Sequence, residues 1–291
     1  MTRPNQFVLV LLALVMTLPC VPRFANAAQS YDNCTGFITS IPVVISTPGY
    51  WCLKQDLATA ITSGKAIDIQ TNDVTVDCND FKLGGLAAGA ATGTLGIYAN
   101  TRTHVTVRNC NIRGFYFGIE FTGASGSGHA VEDNRLDGNT FMGMLIQGDG
   151  SVVQRNRVFD SGDSTISNYA YGIYTQGAVD VLDNTISGVV AHAGDNGGAV
   201  GIQSETASSR RIIGNGVRGL VKDGSGPAFG IYTPNSDRIT IRDNDLVGDG
   251  DAASEAIRCQ SANGRASENN IGAFGGGIVI CHDSGGNAVI P

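Results

Sequence analysis

One phrase recurs along the 291 residues and limits what they can fold into. Gly-Ile-x, or a close variant, begins at Ala66, Gly96, Gly118, Gly143, Gly172, Gly201, Gly230, Ala256 and Gly277, at intervals of 21 to 30 residues. A second anchor, Asn-x-apolar, follows within each unit. It reads Asn79-Asp80-Phe81, Asn134-Arg135-Leu136, Asn156-Arg157-Val158, Asn184-Thr185-Ile186, Asn215-Gly216-Val217, Asn244-Asp245-Leu246 and Asn269-Asn270-Ile271, with Cys110-Asn111-Ile112 in the second unit. Self-similarity at this period indicates a solenoid. Between the anchors, Val105-Thr106-Val107 and Ile239-Thr240-Ile241 alternate apolar and polar β-branched residues, as short strands do. No stretch of the repeat region keeps a helical period, and Gly, at 40 residues in the whole chain, recurs there too often to allow one. Hairpins would not return the same motif in phase. A coil of parallel strands does, each turn stacking on the last at about 4.8 Å. Asn at a fixed place in every coil suits a sharp bend, because Asn tolerates left-handed backbone and its amide can bond its neighbour in a ladder. These Asn residues are therefore structural.

Residues 1–28 have the anatomy of a secretory signal: Arg3, an apolar run from Phe7 to Leu18, and Ala25-Asn26-Ala27 before Ala28. The run is too short to span a bilayer, and no later segment is long and apolar enough. A lipid anchor on Cys20 is disfavoured by Thr17-Leu18-Pro19 before it. The expectation is a secreted or periplasmic chain with no membrane span. Without Arg3 and Arg23 the 19 basic residues become 17 against 26 acidic ones, a formal charge of −9. Such a balance argues against nucleic acid as partner. It would also repel an acidic polysaccharide unless local Arg, Lys or a cation offset the field. Six cysteines remain after Cys20: Cys34, Cys52, Cys78, Cys110, Cys259 and Cys281. An even count without CxxC, in an exported chain, favours disulfides.

The stretches "STPGYWCLKQDL", "AIDIQTNDVTVDCNDF" and "GIYTPNSDRITIRDNDLVG" resemble right-handed parallel β-helix proteins of the pectate-lyase-like superfamily. Within it the similarity is to secreted bacterial proteins with NosD-like (carbohydrate-binding and sugar-hydrolysing) repeats, over about residues 41–290. The resemblance implies an all-β, right-handed parallel β-helix of about eight to nine coils. An N-terminal cap over 29–65 precedes repeats over 66–291. The scaffold hosts lyases, hydrolases, esterases, epimerases and binders, so fold alone does not assign the chemistry. On this coil the cysteines fall into local pairs: Cys34 with Cys52, Cys78 with Cys110, and Cys259 with Cys281. Strict in-out alternation puts the last two on opposite faces, so that pair requires a bend near the end.

After each Gly-Ile the next side chain points outward if Ile points in. That column reads Asp68, Tyr98, Glu120, Leu145, Tyr174, Gln203, Tyr232, Arg258 and Val279, and the next reads Gln70, Asn100, Thr122, Gln147, Gln176, Glu205, Pro234 and Gln260. Tyr98, Tyr174, Gln176, Gln203 and Tyr232 are the candidate polysaccharide-binding residues, since aromatic faces and amides suit stacking and hydroxyl recognition. Tyr and Gln are also ordinary strand residues. Insertions at 82–95, 159–171, 187–200, 218–229 and 247–255 all leave from one corner, which predicts a wall beside the column. Candidate catalytic residues are Asp68 and Glu120, two coils or about 10 Å apart, for glycoside hydrolysis, and Arg258 for elimination. Lys222 lies on the wall. The paired-Asp, Gly-His-Gly, and calcium-arginine signatures of polygalacturonase-like and pectate-lyase-like relatives are absent. No cofactor is expected, although Asp249, Asp251 and Glu255, or Asp195 with Asn196, could offer oxygens to calcium. The NosD-like resemblance suggests copper, yet His104, His129, His192, His282, Met142 and Met144 are too scattered. The expected function is an exported polysaccharide-interacting protein, either a lyase- or hydrolase-type enzyme or a non-catalytic glycan-binding or surface structural module.

Overall fold

The computed structural model describes Tyr31 and residues 33–205 and 210–290. The expected signal segment, with Cys20, lies outside them. Three wholly parallel sheets of 11, 10 and 10 strands run along the chain. One coil shows the path: Ala170–Gln176 in the first, Gly-Ile sheet, Val179–Leu182 in the second, and Thr185–Val190 in the third. Ala199–Glu205 then pairs on Ala170–Gln176 and opens the next coil. The fold is a right-handed parallel β-helix of about nine turns. The described residues contain no α-helix, only a 3-10 turn at Leu86–Ala88. Strands Gly36–Ile38, Val43–Ile45, Gly49–Leu53 and Leu57–Ala58, inside the expected cap segment, already pair into these sheets.

The recurring glycine is explained by close approach between coils. A Cβ on Gly172 would lie 2.7 Å from the Gly201 carbonyl oxygen, and one on Gly201 would lie 2.7 Å from that of Gly230. The Ile beside each Gly enters a stacked core. Ile173, Val181 and Ile186 are fully buried and sit over Ile202, Ile212 and Val217 in register. Each such side chain contributes roughly 1.5–3 kcal/mol on burial.

The second anchor forms a ladder at the bend between the second and third sheets. Asn134, Asn156, Asn184, Asn215, Asn244 and Asn269 are buried. The main-chain N–H and side-chain amide of each donate to the side-chain oxygen of the next. Asn287 closes the ladder beyond Asn269, and Cys110 N–H opens it by donating to Asn134. Two details differ from the sequence reading. The left-handed residue is the one before the ladder Asn: Asp133, Arg155, Asp183, Gly214, Asp243 and Glu268 have φ between 53° and 71°. The ladder Asn residues themselves keep negative φ and carry the stacked amides. In the first coil the anchor is displaced. Leu83, not Phe81, pairs with Ile112, and Asn79 donates to the Leu53 carbonyl, outside the ladder.

The disulfides are Cys34–Cys52, Cys78–Cys110 and Cys259–Cys281, as paired from the coil positions. The required bend occurs at Ile280, whose φ is 67°.

Candidate functional site

The register of the Gly-Ile sheet aligns Asp68, Tyr98, Glu120, Leu145, Tyr174, Gln203, Tyr232, Arg258 and Val279 on successive strands, as the sequence column predicts. Gln147, Gln176 and Glu205 align beside them. A third outward column was missed: Phe117, Met142, Tyr171, Val200, Phe229 and Glu255, each immediately before the inward Gly or Ala.

The Gly-Ile pair explains how these columns meet. Two consecutive residues face inward, as the full burial of Ala66-Ile67 and Ala256-Ile257 shows. Regular alternation is broken there, so residues i and i+3 share the outer face. Tyr171 consequently stacks on Tyr174 (centroids 5.6 Å apart, planes 20° apart), and Phe229 on Tyr232 (4.8 Å, 29°). Phe141 packs against Tyr116, Phe117 and Tyr171, extending the aromatic surface across coils. The phrase aromatic-Gly-Ile, at Phe117, Tyr171 and Phe229, is the sequence signal for this column.

Tyr174, Gln176 and Gln203 converge on one carboxylate. The Tyr174 hydroxyl donates to Glu205 Oε2 at 2.5 Å, Gln176 Nε2 reaches the same oxygen at 3.1 Å, and Gln203 Nε2 donates to Oε1 at 3.1 Å. Gln147 donates to Gln176 Oε1 and extends the network by one coil. Burial, with the Glu205 hydrogen bond second, pushes the Tyr174 hydroxyl up to about 12. Burial likewise raises Tyr171 well above the ordinary phenol range. Both rings are therefore neutral hydroxyl-bearing platforms at any working pH. Beneath the network, Arg210 is 1% exposed and donates to the main-chain oxygens of Gly177, Ser204 and Glu205 and to Ser236 Oγ. It ties three coils together directly under the amide column.

The candidate catalytic residues are not brought together. Asp68 accepts from Lys65 Nζ at 3.2 Å and from Gln70 Nε2 at 3.0 Å. Arg258 NH1 lies 2.7 and 2.9 Å from the two Glu255 oxygens, so its charge is held within the face. Glu120 stands two rungs from Asp68 with Tyr98 between. Burial among apolar neighbours pushes its carboxyl up to about 7, an effect that the Lys65 charge only partly offsets. Glu120 can thus hold or release a proton near neutrality, the property a general acid needs.

The insertions stack as a wall. Val189 pairs with Leu220 and Ser161 with Val189, continuing the third sheet past bends at Asp160, Gly188 and Gly219. Asp223 Oδ2 accepts from the N–H groups of Gly194 and Asn196, and Asn196 Oδ1 accepts from Ser225. The 159–171 insertion runs into the aromatic column, where Tyr169 stacks on Tyr171 (centroids 6.1 Å apart, planes 17° apart). A polar cleft of about 370 Å³ lies at the other end of the strands, lined by Gly123–Ser127, Gln147–Asp149 and Gln176–Gly177. The face is thus bounded by aromatic rings on one side and amides opening into a cleft on the other.

The proposed calcium oxygens have other partners. Glu255 binds Arg258, Asp251 lies 3.0 Å from Lys222 Nζ, and Asp249 Oδ1 accepts the Asp251 N–H. Among the described residues no three His, Cys, Asp or Glu side chains gather as metal ligands.

Three parallel sheets in a coil, a buried Asn ladder and an aromatic-amide face define a right-handed parallel β-helix protein. The chain belongs to the NosD family, whose model, described as periplasmic copper-binding protein, matches residues 60–250. Among solved structures, it resembles a double mutant of the E. coli bacteriophage HK620 tailspike protein (10% identity, TM-score 0.51, 87% of this chain and 56% of that one). It also resembles the Dettilon tailspike protein (13%, 0.46, 84% and 60%). A third is PfbA, a surface adhesin of Streptococcus pneumoniae (12%, 0.49, 87% and 79%). At these identities the likeness is one of fold, and the chain spans at most 60% of either tailspike chain. No curated protein matches it. No helix among the described residues is long and apolar enough to cross a membrane.

The donor set does not fit the copper that the family description names. His129 is buried, and its Nδ1 accepts the Val105 N–H at 3.3 Å; burial pushes it down to about 4. His104 and His192 bind Asp73 and Asp163 at 2.9 and 3.1 Å, Met142 and Met144 are buried, and all six described cysteines are in disulfides. The soft and imidazole ligands that copper selects are not assembled.

Proposed function

We propose that this is an exported protein, periplasmic or secreted, that binds an extended polysaccharide along the outer face of the Gly-Ile sheet. The supporting observation is the pairing of stacked rings, Tyr171 with Tyr174 and Phe229 with Tyr232, beside the hydrogen-bonded amides Gln176 and Gln203. Tyr174 and Tyr232 are two strands apart, about 10 Å, a spacing comparable with the repeat of an extended sugar chain. Rings take the apolar face of a pyranose and amides its hydroxyls. Glycans passed over immobilised protein should be retained by the native chain and released by Tyr174→Ala and Tyr232→Ala at unchanged circular dichroism. Retention that is indifferent to both substitutions would remove the face from consideration.

A catalytic reading is favoured by one observation, the Glu120 carboxyl poised at about 7 on the same face. Mass spectrometry of neutral and uronate polysaccharides incubated with the protein, with and without calcium, separates the two readings. New oligosaccharides lost with Glu120→Gln establish an enzyme, and their masses distinguish hydrolysis from elimination. Unchanged glycans leave the binding module.

A further inference from the structure

Three carboxylates on the Gly-Ile face, Asp68, Glu205 and Glu255, come with an aromatic ring, and twice the protein supplies a cation to the pair. Lys65 Nζ lies 3.2 Å from Asp68 Oδ2 and 4.0 Å from the Tyr98 ring centroid. Arg258 NH1 lies 2.7 Å from Glu255 Oε1, with its guanidinium carbon 6.0 Å from the Phe229 centroid. The third pair is Glu205 with Tyr174, backed by the stacked Tyr171 ring. Its carboxylate receives only neutral donors from the described residues: Tyr174, Gln176 and Gln203. Arg210, beneath it, donates to the Glu205 main-chain oxygen and to other main-chain and hydroxyl oxygens.

We propose that Glu205 and the Tyr174 ring bind the ammonium group of an amino sugar, so that the face selects polysaccharides with free amines over N-acylated or uronate polymers. This rests on the glycan-binding reading above and names its substrate class. An ammonium placed there gains a charge-assisted hydrogen bond and a cation–π contact, the same two interactions that Lys65 and Arg258 make. Uronates meet the opposite situation. Lys65 and Arg258 are already paired, no cationic side chain among the described residues hydrogen-bonds Glu120 or Glu205, Lys65 and the buried Arg210 act on them only through space, and the chain without residues 1–28 has a formal charge of −9.

The test is calorimetric titration of glucosamine hexamer, its fully N-acetylated counterpart, galacturonic acid hexamer and hexalysine at low salt, pH 6. The glucosamine hexamer should bind on the order of tenfold more tightly than the N-acetylated one, and galacturonate weakest. Glu205→Gln should bring the two affinities to within about twofold of each other, with the glucosamine hexamer losing far more than its N-acetylated counterpart, whatever the variant does to binding in general. In the unmodified protein, 0.5 M NaCl should shrink the preference without any substitution being needed. Equal affinity for the two hexosamines, or preference for galacturonate, with binding still lost in Tyr174→Ala, overturns the amine selectivity and leaves the glycan reading standing. Hexalysine binding as tightly as the glucosamine hexamer removes the sugar from the recognition and overturns the proposal. Binding of none of them, nor of any polysaccharide in the panel above, overturns both.

Discussion

Asn156 gives both its main-chain N–H and its side-chain amide to one atom, Asn184 Oδ1, at 2.9 and 3.0 Å. Asn184 in turn donates to the Val153 carbonyl and to Asn215 Oδ1, each at 3.0 Å. Replacing Asn184 by Ala therefore strips partners from several buried groups at once. At about 1–3 kcal/mol for each unsatisfied group after partial relaxation, Asn184→Ala should destabilise the helix by roughly 3 kcal/mol. Asn270→Ala, one place outside the ladder and exposed, should cost less than about 0.5 kcal/mol. Equal shifts in the urea midpoint for both variants would falsify the ladder's role.

Gly201 and Gly216 separate two meanings of glycine in this chain. A Cβ at Gly201 meets the Gly230 carbonyl at 2.7 Å and the Val217 side chain closer still, whereas one at Gly216 meets nothing within 4 Å. Gly201→Ala should destabilise by about 1–3 kcal/mol through overpacking. Gly216→Ala should be neutral, or stabilise slightly by restricting the unfolded chain. Thermal melts of the two variants check this, and the idea fails if Gly201→Ala melts with the native protein.

The Gly-Ile phrase was legible because its cause is steric and local, repeated wherever one coil crosses the next. The column from Asp68 to Val279 followed from it, since parallel pairing keeps equivalent residues in line. Alternation alone hid the rest. It places Lys65 and Asp68, or Phe229 and Tyr232, on opposite faces, whereas two inward residues in succession bring each pair together. The internal neutralisation of Asp68 and Arg258 could not be read for the same reason. The bend was assigned to the Asn because Asn often adopts positive φ; here its amide is needed along the stack, so the preceding residue turns instead. Asn287 escaped notice because its unit is shortened to 18 residues after Asn269.

The Cys259–Cys281 bridge fastens the last coil, where the Gly276–Val279 strand is only half-buried and Ala288–Ile290 is exposed. Removing the bridge as Cys259→Ala with Cys281→Ala frees a loop whose closure is worth about 3 kcal/mol. Amide exchange should quicken in residues 276–290 and stay slow in the central coils, because each coil contacts only its neighbours. Uniform acceleration along the whole rod would contradict this local role.

Glu120 should leave a signature in stability against pH. Its folded carboxyl titrates at about 7, above the ordinary 4.5, so the fold favours the protonated form. Between these values the folded chain binds more proton than the unfolded one, and stability falls as pH rises through the window. Above it, the charged carboxylate is held in a half-buried apolar setting at a cost on the order of 1–2 kcal/mol, discounted for partial exposure. Glu120→Gln should therefore melt higher than the native protein at pH 8 and with it at pH 4. The difference should open between pH 4.5 and 7. Melting curves that stay parallel from pH 4 to 8 would show that this carboxyl titrates normally, and the catalytic reading would lose its support.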